Sequence, residues 1–172
     1  MHNLRISAAL AGFMVAYALV ITPVAIASTT LTMQGASCQL SIPTTNTGVR
    51  PKATGFRNES TTTANFVICT FVSPASGGNN DSFLSGFINI ASLDGVAKTV
   101  TCTAVVGSQA LGPLKYSTKT IELPTYVAFN GAHWDSTDFG EPAGSTIDGS
   151  IWFSITCNLP PQAGIAYLSG EY

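Results

Sequence analysis

Four carboxylates crowd one short stretch. Asp135, Asp138, Glu141 and Asp148 fall within fourteen residues. Carboxylates on an irregular loop are hard oxygen ligands of the kind calcium takes. A pair of them at the right separation could serve as acid and base on a glycosidic bond. Their spacing does not match the calcium-loop motif D-x-[DN]-x-[DN]-G, so the plain alternative is a solvated acidic loop. Calcium is the one cofactor this pattern offers, and no other is expected. His133 stands just before the cluster and is the one histidine after the first 27 residues. A Ser-His-Asp arrangement would have to use it, yet the chain has no G-x-S-x-G elbow. The plain reading of His133 is an exposed loop residue. A small exported hydrolase, if this is one, would keep its chemistry in 135–148 with His133.

The aromatic residues suggest binding instead. Trp152 alternates with Ile151, Phe153 and Ile155. In a strand it therefore shares a face with Ser154 and Thr156. A tryptophan on a polar face can stack on a sugar ring or a partner surface, or it can be covered by a loop. Trp134, beside His133, is the second candidate ligand contact. Arg50, Lys52 and Arg57 form a small basic group, too few charges for a nucleic-acid surface, and read as a solvated loop. Asn58-Glu59-Ser60 and Asn80-Asp81-Ser82 match the N-glycosylation pattern.

Four cysteines follow the leader: Cys38, Cys69, Cys102 and Cys157. An even count in an exported chain reads as two disulfides. Their wide spacings fit no C-x-x-C metal motif. Three pairings are open. Side-chain alternation puts Cys102 with Val100, Ala104 and Val106, and Cys157 with Phe153 and Ile155. Both cysteines fall on apolar faces and could meet across a core as an inter-sheet bridge. Cys38–Cys69 with Cys102–Cys157 is therefore the preferred pairing.

The elements that must position these residues lie in a chain of 172 residues with 45% hydrophobic and 9% charged side chains. Charge is far below the roughly 25% of an ordinary soluble protein. A net charge of −2 gives no pull toward nucleic acid. Arg5 precedes an uncharged run, 6–27, that ends in Ala25-Ile26-Ala27. Those are the parts of a secretory signal peptide cleaved after Ala27. The expected product is a single secreted or periplasmic domain, 28–172, with no membrane association. An uncleaved 6–27 segment acting as a membrane anchor is the alternative.

After residue 28, short β-like runs alternate with Gly, Pro, Asn and Asp. Residues 43–62 read as loop. Ala64–Val72 is apolar on both faces and reads as a central strand. Phe83–Leu93 and Val96–Val106 flank Asp94-Gly95, a strong hairpin signal. Lys115–Leu123 reads as a polar edge strand. Asn130-Gly131 reads as a turn, Ile151–Leu159 as a strand, and Ile165–Tyr172 as the last strand. About 7–9 short strands predict an all-β fold, a two-sheet antiparallel β-sandwich, with a partly closed β-barrel as the alternative.

Arg57-Asn58-Glu59-Ser60 before Val67-Ile68-Cys69, then Val100-Thr101-Cys102, then Cys157-Asn158-Leu159-Pro160 and Tyr167 together resemble small exported bacterial proteins. Those proteins carry two disulfides and a β-sandwich-like strand pattern and have no known function. The resemblance implies export and carries no catalytic residues. The function expected first is a non-enzymatic binding or surface-interaction module for a carbohydrate or protein partner. The alternatives are the hydrolase using 135–148 and a pilus-like or coat-like structural subunit.

Overall fold

Alternation of apolar and polar side chains dominates from Thr30 onward, and the chain folds accordingly into strands. The computed structural model describes residues 28–42, 48–73, 82–110, 112–125, 130–148 and 152–172. The expected leader 1–27, Asn80-Asp81 and Ile151 lie outside the described residues. Eleven strands form among those described: β1 (Thr30–Gln34), β2 (Gln39–Leu40), β3 (Val49–Lys52), β4 (Gly55–Asn58), β5 (Asn65–Thr70), β6 (Ser85–Ser92), β7 (Lys98–Val106), β8 (Lys115–Leu123), β9 (Asn130–Asp135), β10 (Phe153–Leu159) and β11 (Ala163–Glu171). Short 3-10 turns occupy Gly35–Ser37 and Ser136–Phe139.

Two separate antiparallel sheets result. One has six strands in the order β3-β4-β11-β6-β9, with β1 also pairing β11. The other has five, in the order β2-β5-β10-β7-β8. The arrangement is a β-sandwich and not a closed barrel. Its core is the pair of inner faces. Val100, Cys102, Ala104 and Val106 of β7 and Phe153, Ile155, Cys157 and Leu159 of β10 face Ile88 and Ile90 of β6 and Ile165 and Leu168 of β11. Phe71 meets Phe153 edge-on at 4.8 Å and Phe83 edge-on at 5.7 Å between ring centroids. The Phe153 ring lies against Gly86, where a Cβ would come within 2.5 Å of it. Asn58, fully buried in β4, ties one sheet to the other by donating to the Leu159 carbonyl of β10 at 2.9 Å. It also donates to the Thr63 carbonyl at 2.8 Å. Asn58 is thus a structural clamp, and the folded chain does not present it for glycosylation.

Both disulfides are formed, Cys38–Cys69 and Cys102–Cys157. Neither crosses the core between sheets. Cys102 lies directly opposite Cys157 in the β7–β10 ladder, and Cys38 extends the β2–β5 register to Cys69. Each bridge therefore staples neighbouring strands of the five-stranded sheet on its inner face.

Other expectations need correction. The stretch 43–62 contains β3 and β4, which are short, with Pro51 inside β3 and Gly55 opening β4. Asp94-Gly95 does not close a hairpin, because β6 and β7 belong to different sheets. Asp94 instead caps a crossing turn. Its carboxylate accepts from Ser92 Oγ at 2.8 Å and the Val96 N–H at 3.1 Å, and it pairs with Lys98. Gly95 supplies a positive φ of 72°. Asn130-Gly131 opens β9 and is not a turn. A Cβ at Gly131 would meet the Phe87 ring at 2.5 Å, so that position is kept bare by close packing.

Candidate functional site

β8 is the edge of the five-stranded sheet, and its inward face reads Lys115, Ser117, Lys119, Ile121, Leu123. Ile121 and Leu123 enter the core. Lys115 and Lys119 reach instead to the segment that follows β9, and that segment carries the acidic residues. Lys119 Nζ donates to Asp138 Oδ2 at 2.8 Å and to the His133 carbonyl at 2.7 Å. Lys115 pairs closely with Glu141 and lies 3.7 Å from Asp148. The Glu141 hydrogen bond raises the Lys115 pKa. Asp135 has a different role. It caps the 3-10 turn, accepting from the Thr137 hydroxyl and backbone N–H, and those bonds hold its carboxyl below the ordinary range. Asp138 returns the favour by accepting from the Asp135 N–H at 3.0 Å, which completes a capping box.

The four carboxylates are thus occupied by two lysines and one cap. Among the described residues no group of three or more potential ligands gathers as for a metal ion. His133 sits on the exposed outer side of β9, and among the described residues its ring makes no hydrogen bond. The acidic segment acts here as a strap that joins the edge of one sheet to the edge of the other.

The two tryptophans part company. Trp134 is fully buried, and its indole N–H donates to the Ser117 carbonyl at 3.1 Å. The Lys119 ammonium lies over its ring at 5.7 Å from the centroid. Trp134 is a core residue and presents no surface of its own to solvent. Trp152 is 56% exposed. It stands just before β10, with its carbonyl held by the Gly107 N–H at 3.2 Å.

Trp152 borders the outer face of the five-stranded sheet, which no other described element covers. The register builds this face in rows across β5, β10, β7 and β8. One row is Thr70, Ser154, Val105, Tyr116; the next is Ile68, Thr156, Thr103, Thr118; the third is Phe66, Asn158, Thr101, Thr120. Thr103 and Thr118 hydroxyls are joined at 2.8 Å. A further pair, Thr99 and Glu122, is bonded at 2.8 Å, and Glu122 is the one charged side chain in these rows. Strands about 4.8 Å apart and same-face residues about 6.8 Å apart along a strand make a surface roughly 14 Å by 20 Å. Its aromatic members are widely exposed: Tyr116 60%, Trp152 56% and Phe66 54%.

Tyr116 and Phe66 were not legible as site residues. The signal for Tyr116 was available in the alternation Tyr116, Thr118, Thr120 opposite the inward lysines. Phe66 was hidden inside a run, Ala64–Val72, with apolar residues on both faces. No protein-family model matches this chain, and no curated protein or solved structure matches it either. Two formed disulfides place the fold in an oxidising, extracytoplasmic setting. Among the described residues no helix is long and apolar enough to cross a membrane.

Proposed function

We propose that this chain is an exported, non-enzymatic binding module that takes a carbohydrate on the outer face of its five-stranded sheet. The observation that carries the reading is the surface itself. Three exposed aromatic side chains border or sit within an array made mostly of threonine, with serine, asparagine, Ile68 and Val105, and with a single charge. Aromatic faces stack on the apolar faces of sugar rings, and neutral hydroxyl and amide groups exchange hydrogen bonds with sugar hydroxyls. A cation-seeking or phosphate-seeking surface would carry charge, and this one carries almost none. The engagement of the acidic segment by Lys115 and Lys119 favours binding over the hydrolase alternative.

The test is retention of the oxidised protein on insoluble cellulose, chitin and starch. Binding to one of them, weakened about tenfold by Trp152→Ala or Tyr116→Ala, supports the reading, since loss of an aromatic stacking contact is worth on the order of 1 kcal/mol or more. Equal retention of wild type and both variants rejects this face. Release of reducing ends that disappears in Asp138→Asn would favour the hydrolase.

A further inference from the structure

The β3–β4 hairpin sets Arg50 directly opposite Arg57, and places Lys52 on the same face as Arg50. Like charges opposed across a ladder repel. The chain as a whole is net negative, so a knot of three cations runs against its composition. Glu59 answers two of them. Its carboxylate lies 3.0 Å from Lys52 Nζ and 3.6 Å from the Arg50 guanidinium, and the Lys52 hydrogen bond holds its pKa down. Arg57 forms no salt bridge among the described residues. One of its terminal nitrogens donates to Thr54 Oγ1 at 2.8 Å. The rest of the guanidinium edge makes no hydrogen bond to the described residues, and Glu59 feels Arg57 only at longer range, as the last of its three cationic neighbours.

Arg57 stands beside a groove of about 350 Å³ on the outer face of the six-stranded sheet. Arg57, Gly164 and Ala91 are directly opposed in one row across β4, β11 and β6. Ala166 follows at the break in β11 register between Ile165 and Tyr167. The floor is therefore made of residues with little or no side chain. Leu93 forms the opposite, apolar wall. A Cβ on Gly164 would lie 3.2 Å from Leu93 Cδ2 and 3.5 Å from Arg57 Cγ. The missing atom is what keeps a slot open between the two stems.

A cationic fork on one wall, an apolar wall opposite and a bare floor suit one class of ligand. A guanidinium with unspent donors matches a carboxylate in a two-point geometry, and a groove of this volume falls in the range that small molecules occupy. We propose that this groove binds a small organic carboxylate. The acid group meets Arg57 and the Thr54 hydroxyl, and the apolar body lies along Leu93 over Gly164. This site is on the opposite sheet from the proposed carbohydrate face and does not depend on it.

Benzoate is a suitable probe, with benzamide as its uncharged match. The full chain is expressed for export, purified with both disulfides formed, and titrated by amide NMR. The expected result is saturable shifts at Gly164, Ala166 and the Arg57 side-chain N–H with benzoate, and none with benzamide. Arg57→Gln should weaken benzoate by about tenfold or more, because a charge-assisted hydrogen bond is lost. Ala166→Leu, which fills the floor without touching the charge, should weaken it as well. If Arg57→Gln does not fold, the benzoate–benzamide comparison and Ala166→Leu still decide. Equal response to both probes overturns the proposal. So do shifts located elsewhere, equal shifts with chloride or inorganic phosphate, or no shift at all.

Discussion

Replacing Lys119 with methionine removes the ammonium that joins β8 to the acidic segment while keeping most of the stem. Lys119 Nζ makes two hydrogen bonds, to Asp138 Oδ2 and to the His133 carbonyl. Hydrogen bonds to charged groups contribute about 1.5–3 kcal/mol when sheltered, whereas exposed ion pairs contribute about 0.2–1. The Lys119 side chain is 34% exposed and that of Asp138 18%, so the pair sits between those limits. Lys119→Met should therefore cost about 2 kcal/mol in urea unfolding. A double-mutant cycle with Asp138→Asn should show a coupling near 1 kcal/mol. The cycle decides between two roles for the segment 135–148. A strap requires coupling between Lys119 and Asp138 and no stabilisation by added calcium. Coupling near zero would refute the strap. A calcium-dependent rise in Tm that vanishes in Asp138→Asn would refute it in favour of a metal site.

Removing either disulfide as a cysteine-to-alanine pair should cost about 4 kcal/mol in the chain-entropy model, slightly more for the bridge closing 55 residues than for the one closing 31; a loss below about 1 kcal/mol by urea unfolding would show that the staples constrain little. The Asp94 carboxyl is held down to about 2, first by Lys98 and then by the Val96 N–H. A depressed carboxyl stabilises the fold above its ordinary value and loses that contribution as pH falls, so stability should decline between about pH 4 and about pH 2. Asp94→Asn should flatten this part of the profile, and an Asp94 midpoint near 4 by NMR titration would contradict it. Asn58→Ala leaves the Leu159 and Thr63 carbonyls without their donor and should cost about 3 kcal/mol in thermal or urea unfolding; an unchanged midpoint would remove Asn58 from its role as the tie between sheets.

Side-chain alternation is a local property, and it fixes which residues share a face of a strand. Alternation placed Cys102 and Cys157 on apolar faces, and β7, β8 and β10 follow that alternation closely. The same alternation could not say whether the two cysteines face each other across the core or along one ladder, because that depends on which strands are neighbours. Asp94-Gly95 shows the limit most clearly. Its turn chemistry is real, with a capping carboxylate and a positive φ, but tertiary packing sends β6 and β7 into different sheets. The burial of Trp134 is not visible in local pattern, because β9 begins at Asn130-Gly131, a pair whose usual meaning is a turn. The carboxylates of 135–148 looked available because their partners, Lys115 and Lys119, are on a strand more than a dozen residues earlier. One clue was present: those lysines share the parity of Ile121 and Leu123, which marks them as inward-facing. The outer face of the five-stranded sheet could be read only once the register of four strands was known.

Trp152 reports directly on the proposed carbohydrate face. Trp134→Phe leaves Trp152 as the one tryptophan, since the chain has two. Its fluorescence can then be followed as soluble cello-, chito- and malto-oligosaccharides are added. Stacking of a sugar on an indole that is 56% exposed should give a saturable blue shift with one of these series. Unchanged emission across all three series, with the fold intact, would contradict the claim that this face binds carbohydrate.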